Sequence, residues 1–146
     1  MKMKTTQKPV ILVVDAQGGG LGKQLITSIR KECGDVHILA VGTNTAATAA
    51  MLKAGADEAA TGENSVLVAS RKAEIIIGPV GMVIADAMLG EITPAMARAI
   101  ASADATRILI PFKTCGNYIA GVSDFSSAGL IEDAMEYLKK LLSNEN

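Results

Sequence analysis

The stretch VILVVDAQGGGLGKQLITSIRKEC, residues 10–33, reads as strand, glycine turn and helix in immediate succession. Val10–Asp15 is a short, continuous, β-branched run, the mark of a strand buried on both faces. Gly18–Gly20 breaks it, and Leu21–Cys33 then places Leu21, Leu25, Ile26 and Ile29 on one helical face. The rhythm continues downstream. Val36–Val41 is a second strand; Thr43 or Asn44 caps the helix after it, and Gly55 closes that helix. Asp57–Thr61 is a weak third strand and Ser65–Arg71 a short helix. Glu74–Ile77 is a fourth strand, ended by Gly78-Pro79, and Met82–Leu89 reads as a very apolar helix. Thr93 caps the next helix, with Pro94 at its first position. Arg107–Pro111 is a fifth strand and Tyr118–Val122 a sixth. The last helix, Ser126–Leu142, sets Leu130, Ala134, Leu138 and Leu141 at helical spacing.

Strands alternating with helices predict an α/β fold: a doubly wound, mostly parallel sheet of five to six strands with helices on both faces. The sixth strand follows the fifth too closely for a helical crossover, so it is expected as an antiparallel edge partner. The 146 residues make one domain, assigned to 9–142, with 1–8 and 143–146 as flexible termini. Fourteen basic against fifteen acidic residues give a net charge of -1, which argues against nucleic acid or an anionic membrane as partner. Aromatic residues are only 3% of the chain, too few for base-stacking platforms. Two distant cysteines exclude a disulfide scaffold. Val10–Val14 is too short for a secretory core, and Ile75–Leu89 is interrupted by Gly78, Pro79, Gly81 and Asp86. A soluble, cytoplasmic protein is expected.

In open α/β sheets, ligands bind beyond the carboxyl ends of the strands. Nearly all the unusual polar and glycine residues of this chain fall there. The predicted ligand set is Asp15, Gln17, Gly18, Gly19, Gly20, Gly22, Lys23, Thr43, Asn44, Glu63, Asn64, Gly78 and Gly81. The first turn carries the strongest signal. Its glycines let the backbone approach a phosphate at a helix N-terminus, and Lys23 adds a charge. The spacing is irregular: a G-x-G-x-x-G match begun at Gly18 ends on Lys23, and Gln24 stands where a Walker loop needs Ser or Thr. Gly18 and Gly22 also match the start of the G-x-x-x-G-x-G turn of short-chain dehydrogenases, but Gln24 holds its last position. Asp15-x-Gln17-x-x-Gly20 resembles the cobalamin D-x-H-x-x-G with Gln in place of the ligating His. After the second strand, Thr43 and Asn44 stand where a NAD site has its ribose-binding acid.

No catalytic residue and no metal ligand set is assigned. Asp15 ends a strand where an acid holds ribose or magnesium. Cys115, beside Lys113, has no histidine near it in sequence, and Glu63 and Asp86 are the acid–base candidates. His37, the one histidine, opens a strand and is expected to face solvent or pack. The apolar helix Met82–Leu89 needs full burial and is the expected contact of a homodimer. Three functions fit: a nucleotide- or dinucleotide-binding protein, an enzyme on a small anionic metabolite, and a cofactor-free dimeric interaction protein. The metabolite enzyme would use Lys23 or Lys113 as anion clamp and Glu63 or Cys115 in the chemistry.

Several runs carry a family resemblance. They are Asp15-Ala-Gln-Gly-Gly-Gly-Leu-Gly-Lys-Gln, Gly42-Thr-Asn, Gly55-Ala-Asp through Thr61-Gly-Glu-Asn, Ile77-Gly-Pro-Val-Gly, Gly90-Glu-Ile-Thr-Pro-Ala-Met-Ala and Pro111-Phe-Lys-Thr-Cys. Together they resemble a small domain-of-unknown-function family found mainly in anaerobic Gram-positive bacteria. The resemblance covers residues 9–142 and implies a single-domain Rossmann-like fold with no assigned activity. It carries over no catalytic residue.

Overall fold

A computed structural model describes residues 7–112, 114–123 and 126–144. The strands are β1 (Val10–Asp15), β2 (His37–Gly42), β3 (Glu58–Thr61), β4 (Ile75–Pro79) and β5 (Thr106–Ile110). The helices are α1 (Gly20–Glu32), α2 (Thr45–Ala54), α3 (Glu63–Lys72), α4 (Pro94–Ala101) and α5 (Ser127–Asn144). The strands form one five-stranded sheet in the order β3-β2-β1-β4-β5, and every pairing is parallel. This Rossmann-like order puts β1 at the centre and reverses the winding between β1 and β4, which opens a crevice beyond their carboxyl ends.

The unbroken apolar run of β1 follows from its place between two cores. Ile11 and Val13 pack toward Leu25, Ile29, Met135 and Leu138, from α1 and α5. Leu12 and Val14 alternate to the other face, toward Val66, Met96 and Ile100 from α3 and α4. All four are fully buried. Asn44 rather than Thr43 caps α2, its Oδ1 accepting the Ala47 N–H at 2.9 Å. Among the described residues no helix is long and apolar enough to cross a membrane.

Two expected elements are absent, each for a local reason. Met82–Leu89 is not a helix. A 3-10 turn, Val80–Val83, is followed by tight turns in which Asp86, Met88 and Leu89 adopt positive φ. The backbone satisfies itself there through Asp86 N–H to Ile92 O at 2.8 Å and Ile92 N–H to Ala87 O at 3.2 Å. The segment is apolar because Met82, Ala87 and Ile92 enter the core beside α4, not because it forms an apolar rod. The segment on which a homodimer is expected is thus a series of turns, and its acid–base candidate Asp86 is exposed. Tyr118–Val122 is likewise no strand, so the sheet is wholly parallel and β5 is its edge. Left-handed Cys115 and Gly116 precede the segment and left-handed Gly121 interrupts it, which leaves too short an extended run to pair.

Candidate functional site

The glycine turn lies at the switch between β1 and β4, as the strand order requires. Asp15 ends β1 and is buried; its Oδ1 accepts the Ala16 N–H at 2.8 Å and its Oδ2 the Gly22 N–H at 2.6 Å. Its carboxylate thus holds the turn to the start of α1, at the base of the cavity over the turn. Two of the glycines are demanded by packing. Gly19 has φ 77°, and a Cβ there would lie 2.8 Å from the Ala47 Cα. A Cβ on Gly22 would lie 2.5 Å from the Met51 sulfur and 3.0 Å from the Asp15 Cβ. Gly22 therefore supplies the close helix–strand approach that the third glycine of a dinucleotide motif supplies, at a shorter spacing.

Gly18 and Gly20 differ. Neither has positive φ, and a Cβ on either would meet nothing within 4 Å. Both are exposed. The N–H groups of Gly18, Gly20 and Leu21 find no acceptor among the described residues. They present unsatisfied donors at the positive end of α1. A cavity of about 190 Å³ lies over them, bounded by Gln17, Gln24, Pro79, Met88 and Phe112.

The residue that sequence reasoning missed is Glu91. Its Oε1 accepts the Gln17 N–H at 2.7 Å, the Thr43 hydroxyl at 2.6 Å and the Asn44 side-chain amide at 3.1 Å. Asn44 also donates to the Gln17 carbonyl at 2.9 Å. The turn that replaces the expected helix carries Glu91 across the sheet edge to these groups. Partial burial pushes its carboxyl up, but the bonds from Thr43, the Gln17 N–H and Asn44 outweigh this and hold it below the ordinary range. The only signal in the sequence was its place in the run beginning at Gly90, which offered no spacing to Thr43.

Glu91→Ala leaves three donors without their shared acceptor and is expected to cost about 2 kcal/mol in urea unfolding at pH 7. The folded carboxyl lies below its ordinary value of 4.5, so the stabilisation is complete above that value and disappears as pH falls through the lowered one. The gap between wild type and variant should close on acidification. A gap that does not change with pH would remove the charge from this account.

The remaining predicted residues disperse. Lys23 is exposed and lines a groove between α1 and α5 instead of the cavity. Glu63 and Asn64 open α3 and are exposed; the Glu63 Oε2 accepts the Thr93 hydroxyl at 3.0 Å, joining α3 to the cap of α4. Asn64 lines a groove beside β3. Gly78 and Gly81 are occupied by the protein itself. A Cβ on Gly78 would lie 2.5 Å from the Val14 carbonyl oxygen, and one on Gly81 2.9 Å from the Met88 methyl and 3.2 Å from the Cys115 sulfur. Cys115 is exposed beyond β5, and Lys113 lies outside the described residues. His37 is at the opposite edge of the sheet, where its Nε2 meets Glu58 at 2.7 Å.

The family model for the domain of unknown function DUF3842 matches residues 10–143. The chain belongs to this family. Comparison with curated proteins finds no match. The DUF3842 domain thus gathers at one edge a set of free backbone donors, a fixed carboxylate and the hydroxyl and amide of Thr43 and Asn44. Among the described residues the set holds no nucleophile with an adjacent base.

Proposed function

We propose that this DUF3842 domain binds a nucleotide or dinucleotide, with a phosphate on the N–H groups of Gly18, Gly20 and Leu21. The observation that carries this reading is that Gly18 and Gly20 are glycines the fold does not need. Each could bear a methyl group without strain or collision. A ligand that must come within hydrogen-bonding distance of the backbone gives them a reason. Their position at the switch point supports it. The cavity of about 190 Å³ favours a second reading, a small phosphorylated or carboxylated metabolite that fits inside it. We place the protein in the cytoplasm, where its thiols Cys33 and Cys115 would stay reduced.

Thermal unfolding in the presence of NAD(H), NADP(H), ATP, GTP, flavins, cobalamin, phosphate and sulfate tests both readings. A ligand at about 100 times its Kd adds ~2.7 kcal/mol, several degrees in Tm. A nucleotide response is expected. Response to phosphate or sulfate alone favours the metabolite, and no response to any of them removes the glycine turn as a binding site.

A further inference from the structure

We propose that Glu91 reads the sugar of the bound nucleotide, accepting hydrogen bonds from a free 2′,3′-diol and excluding a 2′-phosphate. This rests on the nucleotide reading of the glycine turn. The end of β2 offers Gly42, Thr43 and Asn44 and no acid of its own. Tertiary structure brings one there from the segment before α4. The Glu91 carboxylate touches the Gln17 N–H on the glycine turn and the Thr43 and Asn44 side chains after β2. A sugar attached to a phosphate on α1 lies between those same two segments.

The two oxygens of the carboxylate are differently engaged. All three donors converge on Oε1, which fixes the group in place. Oε2 has no partner among the described residues and is left to accept from vicinal hydroxyls. Among the described residues no lysine or arginine forms an ion pair with Glu91. A 2′-phosphate would therefore face an ionised carboxylate that no cation among the described residues pairs with, a like-charge contact that disfavours it on the order of 100-fold.

The test is titration calorimetry on the full chain with NAD against NADP and ADP against its 2′-phosphorylated form, in wild type and Glu91→Gln. Glutamine keeps an oxygen for the three donors but has no charge. Wild type is expected to prefer the free diol about 100-fold, and Glu91→Gln to narrow this below about tenfold. A second wild-type measurement needs no variant: 2′-deoxy-ADP should bind about tenfold more weakly than ADP. Equal binding of free and 2′-phosphorylated forms, a preference that survives in Glu91→Gln, or equal binding of ADP and 2′-deoxy-ADP overturns the role of Glu91 and leaves nucleotide binding standing. Failure of all these nucleotides to bind overturns both.

Discussion

Gly20→Asp will abolish phosphate binding while leaving the fold at least as stable as wild type. Gly20 is the first residue of α1, its φ is not positive, and a side chain there enters open space. An acid in the first helical turn is favourable to the helix, because the carboxylate meets the positive end of the dipole. The same carboxylate stands where the phosphate is proposed to sit and repels it. The expected result is a Tm equal to or above wild type and loss of the ligand-induced shift, at least 100-fold in Kd. Gly20→Ala is the milder partner, gaining some of the ~1 kcal/mol by which alanine exceeds glycine in helices. A stable Gly20→Asp protein that still binds its nucleotide would move the phosphate away from this turn.

Gly78→Ala, by contrast, should destabilise by about 3 kcal/mol, roughly 10 °C in Tm. Gly78 lies in β4, paired with Leu109 of β5. An added Cβ would lie 2.5 Å from the carbonyl oxygen of Val14 and 2.7 Å from the Met82 sulfur. Met82 can rotate, but Val14 belongs to the central strand and is held between two cores. β4 must then move away from β1 at the switch point itself. Urea unfolding should show a lower midpoint at unchanged m, and Gly18→Ala, with nothing near its Cβ, should match wild type. Equal stability of the two variants would mean that β1 and β4 do not approach this closely.

The pair divides the glycines of the carboxyl edge into two kinds that look alike in sequence. Gly18, Gly20, Gly78 and Gly81 were all expected to line the ligand, because all follow strands. Only the atoms opposite each one separate them: Val14 and Met82 against Gly78, Met88 and Cys115 against Gly81, and open space above Gly18 and Gly20. The helix expected at Met82–Leu89 failed for a related reason. Its composition recorded how deeply the segment is buried, and burial alone does not distinguish an apolar helix from a turn whose side chains fill the base of a core. Glu91 was invisible because it lies 48 residues from Thr43 in the chain and meets it only through that turn.

The sequence by itself determined the α/β alternation and the places of five of its strands, a cap at Thr43 or Asn44, the proline-led start of α4 and the glycine turn before α1. These depend on periodicity, burial on two faces, and local backbone chemistry, each expressed within about a dozen residues. Tertiary structure alone decided that Asp15 accepts the Ala16 and Gly22 N–H groups, that the sheet stops at β5, and that a carboxylate reaches the end of β2 from the segment after β4. Those outcomes depend on which groups meet across the crevice, and such meetings leave no period in the chain.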